Sequence, residues 1–588
     1  MSEKEKNRRY SFIGALLFAL LISVIIQVVR VQASPDYVEE IRDIGTYYST
    51  EPRTLSPARG QIFDRWGNLL AANHTVYEVG VELQYVENPH TIAQTLNAVL
   101  DLNYGDINFL AGLEHSENAV YATLTDNVAP AEFEKLVVIK EQIDEAFKNS
   151  KDDDAPSLRG LVFRPHLARF YPEETLGSNI LGFVNREGMG YFGVEQYFDD
   201  LMSGTPQTVR VPKDPNRVQE LPNIPDGASI ILTIDRSIQR TMEQIIDEAV
   251  VSSGAESGTI IVLDPETGEV LAMAVTPRLD LNEFWQYYKV FPDETPFNRA
   301  VSQSYEPGSV FKVLTMSAAI DAGVVEPETT FVDTGVIEVG GWLIYNWNMG
   351  AWGPQTMTGC MQHSLNVCLA WVATQLGARD FYRYLDQFGI GHHTGIELAG
   401  ESSGRLKSIT DKDWTETELG TNSFGQGVSV TPIQLTAAIS ALANDGRMMA
   451  PHIVRSVVYE GYQYDIEQRV VNMPISEESA HTMTNMLADS LEIEASEALV
   501  PGYRVAGKTG TAEIATDRGY TTNLTNASFV GWGPVDDPKF LIYVWMEKPT
   551  ISPWGSIVAS PVFSEAAQKL VVLMNIPPDE VRYQLEGE

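Results

Sequence analysis

Residues 305–323 read Tyr-Glu-Pro-Gly-Ser-Val-Phe-Lys-Val-Leu-Thr-Met-Ser-Ala-Ala-Ile-Asp-Ala-Gly. A Pro-Gly pair interrupts any element that precedes Ser309, and the residues that follow suit a helix that Gly323 can end. Lys312 lies three residues after Ser309, so both side chains lie on one helical face, with Cβ atoms about 5–6 Å apart. The stretch therefore predicts a serine at a helix start with a lysine amine within reach of its oxygen.

This pair of side chains suggests a nucleophile beside a base. A serine hydroxyl is a poor nucleophile at neutral pH, and Lys312 can remove its proton only if burial or a neighbouring cation lowers the pKa of the amine. The positive end of the helix would then favour the negative charge that develops on the reacting oxygens. Taken alone, however, a Ser-x-x-Lys spacing arises about twice by chance in a chain of this length, and a surface Ser and Lys one turn apart is the alternative.

Two further motifs follow Ser309 in order. They are Ser364-Leu365-Asn366 and Lys508-Thr509-Gly510-Thr511, and the ordered set of three is typical of the penicillin-recognising serine enzymes. If the first tripeptide is extended, Ser364 and Asn366 present a hydroxyl and an amide to one cavity, because residues i and i+2 point the same way. The second motif lies in a predicted strand, residues 505–513, where Gly510 lets another backbone approach closely. Order and context, rather than any single pattern, indicate the site.

A glycine loop, Phe424-Gly425-Gln426-Gly427, precedes the predicted helix at residues 432–444. It lacks the lysine and the spacing of a loop that binds phosphate. We therefore expect it to serve packing.

Composition excludes several classes of protein. The chain has 588 residues, 44% of them hydrophobic, which suffices for about two to four domains with large cores. Its 41 Lys and Arg stand against 79 Asp and Glu, a net charge of −38. Such a surface repels nucleic acid, which is excluded as a partner. The acidity otherwise indicates a well-solvated surface.

Cysteine and histidine usage gives no sign of a metal or a cofactor. Cys360 and Cys368 are the only cysteines, which excludes a disulfide scaffold and a four-cysteine zinc site. If this segment is helical, eight residues span about 12 Å, which is too far for a disulfide, so two buried thiols are expected instead. None of the nine His forms a His-Glu-x-x-His or comparable spacing.

The first 30 residues combine a basic end with an apolar run. Four basic residues precede residues 11–29, which are almost entirely apolar. At about 1.5 Å per residue, a helix of this length nearly spans the roughly 30 Å hydrocarbon core of a bilayer, which predicts an uncleaved anchor. A cleaved signal peptide is the alternative, although its apolar region usually runs only about 7–15 residues. The basic end predicts a cytoplasmic N-terminus and an extracytoplasmic remainder.

Short β elements are expected before residue 226. Residues 57–71 predict two short strands joined by a turn at Gly67-Asn68. A proline cluster then marks a domain boundary: Pro212, Pro215, Pro222 and Pro225. Beyond it the pattern predicts a helix at residues 237–250 and a central antiparallel sheet of about five strands flanked by helices. The predicted strands lie at residues 259–263, 269–274, 505–513, 529–532 and 540–547. The expected fold class is α+β.

The chain resembles the monofunctional class B penicillin-binding proteins, which are peptidoglycan D,D-transpeptidases. The similarity runs from about residue 59 to residue 563 and includes three patterns of a noncatalytic, β-rich pedestal domain, at residues 59–67, 169–172 and 193–195. The resemblance implies the following division: cytoplasmic tail 1–10, transmembrane anchor 11–29, connector 30–55, pedestal 56–225, transpeptidase domain 226–575 and polar tail 576–588.

The resemblance also implies roles for the motif residues. Ser309 would attack the carbonyl of the penultimate D-Ala of a stem peptide and release the terminal D-Ala, with Lys312 taking the serine proton. Ser364 and Asn366 would relay protons and hold the substrate amide. β-Lactams would mimic the dipeptide and leave Ser309 acylated.

The third motif is implied to bind the substrate. Lys508, with Thr509 or Thr511, would hold the terminal carboxylate, and Gly510 completes the run. The backbone N–H groups of Ser309 and Thr511 would form the oxyanion hole. An amine from a neighbouring strand would then resolve the acyl-enzyme into a cross-link.

Several motifs resemble the cell-division branch of the family more closely than the elongation branch. The implied partners are a polytopic SEDS-family peptidoglycan glycosyltransferase and other division proteins, beside stem peptides and β-lactams. Elongation remains an alternative. A β-lactamase or D,D-carboxypeptidase would use the same motifs with water as acceptor. A noncatalytic division scaffold and a penicillin sensor are further alternatives, and loss of Ser309 or Lys312 would have favoured the scaffold.

Overall fold

The computed structural model describes residues 3–33, 39, 47, 49–149, 155–213, 224–292, 295–516 and 519–586. They form two compact units, one from Met1–Pro57 with Gly204–Asp226 and the other from Ala58–Ser203 with Gly227–Glu588. Parts of the predicted connector, residues 34–38, 40–46 and 48, lie outside the described residues, as do Pro215 and Pro222 of the predicted boundary.

The smaller unit consists of a long helix and a two-stranded sheet. The helix Glu3–Ala33 contains the predicted anchor, and from Lys4 onward its window of highest hydropathy is entirely uncovered by protein. An apolar helix of this length with no protein cover suits the hydrocarbon core of a bilayer, which fits the predicted membrane anchor. The strands Thr50–Leu55 and Gln207–Pro212 pair antiparallel, with Thr50 opposite Pro212.

A seven-stranded mixed sheet crosses the larger unit. The predicted turn at Gly67-Asn68 is confirmed, since it joins Ile62–Phe63 to Leu69–Glu82, and Asp64 accepts hydrogen bonds from the backbone of Trp66 and Asn68. Ile62–Phe63 also pairs parallel with Ser229–Leu232. Residues far apart in the chain thus share one sheet. Its remaining strands are Tyr121–Val128, Leu161–Phe170, Val454–Tyr459 and Tyr462–Asp465.

The central sheet has five antiparallel strands, as predicted. Their order across the sheet is Val270–Val275, Ser257–Leu263, Phe540–Glu547, Gly519–Gly533 and Ala506–Thr516. Side chains of the middle strand alternate between two hydrophobic clusters: Leu541 and Tyr543 pack in one, Ile542 and Val544 in the other. Because both faces are covered, every residue of Phe540–Glu547 is buried.

The predicted helix at residues 237–250 corresponds to Arg236–Ser253. Asp235 caps its N-terminus by accepting hydrogen bonds from the backbone of Ser237 and Ile238, and Gly254 ends it in a left-handed conformation. Its apolar face packs on the central sheet together with Ser560–Leu573, whose apolar character therefore reflects a core position.

The other described helices of the larger unit surround the two sheets. They are Pro89–Leu100, Tyr104–Ala111, Pro130–Asn149, Ser178–Leu181, Gly193–Tyr197, Asp199–Ser203, Tyr287–Val290, Arg299–Ser302, Lys312–Asp321, Met357–Gln362, Asn366–Leu376, Ala378–Gln387, Glu416–Asn422, Pro432–Ser440, Glu477–Glu494, Gly555–Val558 and Asp579–Glu586, with 3₁₀ segments at Leu83–Tyr85, Leu281–Gln286, Gly308–Phe311 and Ser496–Ala498. Small two-stranded sheets pair Phe183–Val184 with Gly190–Tyr191, Thr330–Asp333 with Gly353–Thr356, Val336–Val339 with Trp342–Tyr345, and Met448–Met449 with Val470–Asn472.

The three pedestal patterns meet at one buried carboxylate. Glu195 is fully buried, and its two oxygens accept hydrogen bonds from Arg59 Nε and Arg169 Nε, each at 2.7 Å. Arg59 also pairs with Asp199 at 2.6 Å. These patterns are therefore structural, because a buried ion cluster of this kind fixes three distant segments of chain together.

The predicted polar tail contains the helix Asp579–Glu586. Its first residue accepts a hydrogen bond from the Arg504 backbone N–H at 2.6 Å and donates its own N–H to Gly502 O at 3.0 Å. This end of the described chain is thus packed against the segment that enters the strand Ala506–Thr516.

Candidate active site

Ser309 lies in the 3₁₀ turn Gly308–Phe311, which continues directly into the helix Lys312–Asp321. The predicted helix is confirmed, with a tighter first turn, and Gly323 follows its end in a left-handed conformation, φ +66°. Gly308 has φ +58°, and a Cβ there would lie 2.6 Å from Thr511 O. Glycine therefore allows the turn that carries Ser309 to approach the third motif.

Lys312 is fully buried, and its amine binds both polar side chains of the second motif. Its Nζ donates to Ser364 O at 2.6 Å, to Ser364 Oγ at 3.1 Å and to Asn366 Oδ1 at 2.7 Å. Burial, and secondarily the positive charge of Lys508, lower the pKa of Lys312 well below its ordinary value. A lowered pKa is the condition under which Lys312 can remove the proton of the serine hydroxyl.

The sequence predicts that Lys312 Nζ lies within reach of Ser309 Oγ. Among the described residues no hydrogen bond joins the two atoms, although Ser309 lies one turn before Lys312 on the same segment. Hydrogen bonds of catalytic groups are often long before substrate binds, so this geometry does not exclude proton transfer.

The tripeptide Ser364-Leu365-Asn366 is not extended, which corrects the expectation from sequence. Ser364 has φ +53°, in the left-handed region, whereas Asn366 begins the helix Asn366–Leu376. The two side chains nevertheless converge, because both bind the amine of Lys312. A turn between two helices, rather than the alternation of a strand, brings them together.

The same turn explains a second correction. Cys360 and Cys368 form a disulfide, with Cα atoms 6.1 Å apart, instead of two free thiols. The expectation assumed a continuous helix, but one helix ends at Gln362 and the next begins at Asn366. The chain reverses between them, and both cysteines face each other in the core.

The strand Ala506–Thr516 is an edge of the central sheet and forms the other side of the site. Lys508 is buried and donates to Thr509 Oγ1 at 3.2 Å, while Thr509 and Thr511 are partly exposed and lie two residues apart on one face. A Cβ on Gly510 would lie 2.2 Å from Ser528 Oγ and 2.6 Å from Val310 Cγ2, both side-chain atoms, whereas the nearest backbone atom that it would meet is Pro307 O at 3.3 Å.

We call the space between the turn at residues 364–366 and the strand Ala506–Thr516 the catalytic cleft. Ser309 lies within it, because Gly308 contacts the strand on one side of Ser309 and Lys312 binds the turn on the other. The structure thus brings together all three predicted motifs.

The glycine loop at residues 424–427 supports the nucleophile turn. Gly425 O accepts a hydrogen bond from Gly308 N at 3.1 Å, and a Cβ on Gly425, φ +84°, would lie 2.3 Å from Gly308 O. The structure therefore supports the packing role expected from the sequence.

Sequence reasoning missed Gly555, which donates its N–H to Thr511 Oγ1 at 3.1 Å and lies against Gly510 O. A single glycine before a short helix gives no distinguishing signal. Potential metal ligands gather elsewhere among the described residues: Asp445, Glu477 and His481 each place one ligand atom within 4.8 Å of the others. Arg447 also pairs with Asp445, and this group shares no described hydrogen bond with the three motifs.

Two family models match the chain. The penicillin-binding protein dimerisation domain matches residues 54–224, and the penicillin binding protein transpeptidase domain matches residues 258–568, more than half of the chain. The chain belongs to the class B penicillin-binding proteins. Its transpeptidase domain contains Ser309, Lys312 and the two other motifs, and the protein is a peptidoglycan D,D-transpeptidase of serine type.

Relatives of this penicillin-binding protein extend over nearly its whole length. Stage V sporulation protein D of Bacillus subtilis is 31% identical over 96% of this chain and 86% of its own. The probable peptidoglycan D,D-transpeptidase PbpC of Pseudomonas aeruginosa is 28% identical over 99% and 98%. The crystal structure of penicillin binding protein 3 from Mycobacterium tuberculosis, complexed with aztreonam, superposes with a TM-score of 0.68 at 25% identity, covering 90% of this chain and 98% of that one.

Proposed function

We propose that Ser309 is the nucleophile of the transpeptidase reaction and that Lys312 is its general base. The observation that carries this proposal is the buried amine of Lys312, which is held by Ser364 and Asn366 and has a lowered pKa. An amine with a lowered pKa, one turn from a serine at the start of a helical segment, suits the activation of a hydroxyl.

The first half of the reaction forms an ester. Ser309 Oγ attacks the carbonyl of the penultimate D-Ala, Lys312 takes the hydroxyl proton, and the terminal D-Ala leaves after receiving a proton through Ser364. In the second half an amine of a neighbouring strand attacks the ester. The new amide forms, the proton lost by the amine passes to Ser309 Oγ, and the serine is restored. β-Lactams follow the first half only and leave Ser309 acylated.

The edge strand supports an oxyanion hole made by the N–H groups of Ser309 and Thr511. In an antiparallel strand the N–H and C=O of one residue point to the same side. Thr511 O faces Gly308, since a Cβ there would lie 2.6 Å away, so Thr511 N–H also points away from the sheet and toward the cleft. Ser309 N–H lies in the first helical turn, where N–H groups have no acceptor within the helix.

In this proposal the terminal carboxylate of the donor stem peptide binds at the third motif. Lys508 supplies positive charge, and the partly exposed hydroxyls of Thr509 and Thr511 supply donors on one face of the strand. Gly510 permits the close packing that sets their distance from Ser309.

The division of the chain follows the sequence patterns. It comprises a cytoplasmic tail at 1–10, an anchor at 11–29, a connector at 30–55, a pedestal at 56–225, a transpeptidase domain at 226–575 and a tail at 576–588. The family matches at residues 54–224 and 258–568 support the two large domains. A single-pass topology with the catalytic domain outside the cell follows from the basic end before the anchor.

Septal wall synthesis is the cellular role that the motifs favour, with a polytopic SEDS-family glycosyltransferase and other division proteins as partners. A second role has one observation in its favour, because the Bacillus subtilis relative is named for a stage of sporulation. Depletion in growing cells separates the roles: a septal enzyme gives filaments, an elongation enzyme gives rounded cells, and an enzyme confined to sporulation gives neither.

Labelling with a fluorescent penicillin tests the proposed nucleophile. The wild type becomes labelled on Ser309, as peptide mapping shows, and Ser309→Ala removes the label without loss of folded protein. Ser304→Ala, an exposed serine five residues earlier, keeps the label. A labelled Ser309→Ala protein would contradict the assignment, and rapid release of hydrolysed penicillin would indicate a β-lactamase instead.

A further inference from the structure

The amide of Asn366 is held at both of its ends. Its Oδ1 accepts a hydrogen bond from Lys312 Nζ at 2.7 Å, and its Nδ2 donates to Tyr345 O at 3.2 Å. The Tyr345 carbonyl takes the donor end of the amide and thereby turns the acceptor end toward the lysine. Tyr345 ends the strand Trp342–Tyr345, which lies outside all three sequence motifs. A segment that the motifs do not include therefore orients one of their side chains.

The helix that Asn366 begins has no side-chain cap of its own. Leu365 occupies the N-cap position, and its side chain cannot accept a hydrogen bond. The first N–H groups of a helix need acceptors from outside the helix. Asn346 supplies one, since its Oδ1 accepts from the Val367 N–H at 3.2 Å. Asn346 also shares a peptide bond with the Tyr345 carbonyl, so it is connected to Asn366 on two sides.

A buried carboxylate fixes the side chain of Asn346. Asp333 is 1% exposed, and its Oδ2 accepts hydrogen bonds from Asn346 Nδ2 and from the Trp352 N–H, each at 2.8 Å. Its Oδ1 accepts from the Gly335 N–H at 3.3 Å, and Asn346 Nδ2 also donates to Gly350 O at 3.1 Å. Burial of a carboxylate is costly unless donors bind it, and these bonds hold the ends of three short strands together beside the second motif.

We propose that Asn346, held by Asp333, positions Asn366 for the transpeptidase reaction. The inference rests on the proposed function, in which Asn366 holds the substrate amide beside the base Lys312. Asn346 is 2% exposed and does not touch the substrate, so it acts through Asn366. A displacement of about 1 Å in a group that orients the substrate slows a reaction by up to about 10²-fold.

A double-mutant cycle tests whether Asn346 acts through Asn366. The measured quantity is the second-order rate constant for acylation of folded protein by benzylpenicillin at its high-pH plateau. We expect Asn346→Ala to lower this constant about tenfold. In a protein that already carries Asn366→Ala, Asn346→Ala lowers it by less than about twofold further, because the side chain through which it acts is gone. A role in stability alone gives no such coupling in the rate constant.

The pH profile of the same reaction is a second readout. A hydrogen bond from Lys312 Nζ to Asn366 Oδ1 favours the charged amine, so its loss lowers the pKa of Lys312 further. The rise of acylation with pH therefore moves to lower pH in Asn346→Ala, as it does in Asn366→Ala. Lys508, the other charged group that acts on Lys312, is the same in both variants.

Asn179→Ala is the matched control. Asn179 is also 2% exposed, and its Nδ2 also donates to two backbone carbonyls, those of Pro277 and Phe297, which lie outside the three motifs. This variant loses stability in urea unfolding but keeps the acylation rate constant and the pH profile of the wild type. Should Asn346→Ala not fold, Asn346→Leu takes its place, because it keeps the branching and nearly the volume of the side chain while removing the same hydrogen bonds.

Two results would overturn the positioning role: effects of the two substitutions that multiply in the cycle, or an Asn346 variant with the rate constant and pH profile of the wild type. A wild type that benzylpenicillin does not acylate on Ser309 would contradict the proposed function instead, so the two failures are distinguishable.

Discussion

At the scale of single residues, the surroundings of Lys312 bear on its proposed role as the general base. Its described hydrogen-bond partners are a backbone carbonyl, a hydroxyl and an amide oxygen, none of which carries a charge. Burial removes water from the ammonium ion, and Lys508 repels it, so both effects favour the neutral amine. The lowered pKa of Lys312 is the direction that its proposed role as a base requires.

The pH dependence of acylation tests this account. Because only neutral Lys312 accepts the serine proton, the rate rises with pH through the pKa of Lys312, and this rise lies well below the ordinary value of 10.5. In Lys508→Gln the neighbouring positive charge is lost, so the pKa of Lys312 increases and the rise moves to higher pH. Stopped-flow acylation by benzylpenicillin over a pH series measures both positions. An unmoved rise would show that Lys508 does not act on Lys312.

The two lysines differ in how they tolerate arginine. Lys312→Arg replaces the base by a guanidinium that stays protonated at neutral pH, so acylation falls by at least about 10²–10⁴-fold for every β-lactam. Lys508→Arg keeps the positive charge that binds the carboxylate and retains measurable acylation. Labelling kinetics of the two purified variants measure both acylation rates. Equal rates in both would refute the division of roles.

At the scale of elements, glycines let separate pieces of backbone meet around Ser309. Gly308 packs on the edge strand, Gly425 packs on Gly308, and Gly555 packs on Gly510. In each case a Cβ would lie within 2.6 Å of a backbone oxygen. The position of the nucleophile thus depends on a loop, a strand and a helix start that are far apart in the chain.

Substitution of Gly425 by alanine tests this packing, and Gly400 provides the control. Both have φ +84°, but a Cβ on Gly400 would meet no atom within 4 Å, whereas a Cβ on Gly425 would lie 2.3 Å from Gly308 O. Gly400→Ala therefore costs only the left-handed strain of roughly 1–2 kcal/mol and keeps its activity. Gly425→Ala loses more stability in urea unfolding, and acylation falls by about 10²-fold as the turn at Ser309 moves. Equal effects of the two substitutions would exclude a packing role.

At the scale of the whole molecule, a buried ion cluster connects segments that lie far apart in the chain. Glu195 binds Arg59 and Arg169 and so ties together three segments, the first of which lies more than a hundred residues before the other two. The mixed sheet also connects distant parts of the chain, because Ile62–Phe63 pairs with Ser229–Leu232. Strands on both sides of the proposed domain boundary at residue 225 therefore belong to one hydrogen-bonded sheet.

Glu195→Gln removes the buried negative charge, which leaves Arg59 with Asp199 as its ion-pair partner and takes from Arg169 the carboxylate that it binds. Breaking a buried pair in this way costs about 3–5 kcal/mol, which urea unfolding measures. Glu187→Gln, an exposed residue of the same segment, has no such effect. The folded fraction of Glu195→Gln still acylates at the wild-type rate, since the cluster shares no described hydrogen bond with Lys312. A stable Glu195→Gln protein would contradict the structural role.

The anchor predicts where the protein is found. The full chain stays with membranes after an alkaline carbonate wash, because the helix Glu3–Ala33 is apolar and uncovered by protein. A variant that lacks residues 1–33 appears in the soluble fraction. N-terminal sequencing of the mature protein provides a second test. A sequence that begins at Ser34 would show that the helix is a cleaved signal peptide.

The sequence alone determined the features that depend on local patterns. The apolar run at residues 11–29, the five strands of the central sheet and the helix that follows Ser309 all follow from periodicity and from residues that start or end elements. The spacing and order of the three motifs indicated the site, because spacing within a motif is a property of a few neighbouring residues.

Only the tertiary structure decided how these pieces meet. The left-handed Ser364, the disulfide between Cys360 and Cys368 and the contact of Trp347 with Trp554 had no signal in the sequence. Each depends on contacts between residues that lie on different elements, and the free energy of those contacts overrides the local preference of the chain. Ser364 is left-handed at this turn, and a buried lysine from another helix binds both polar side chains of the turn.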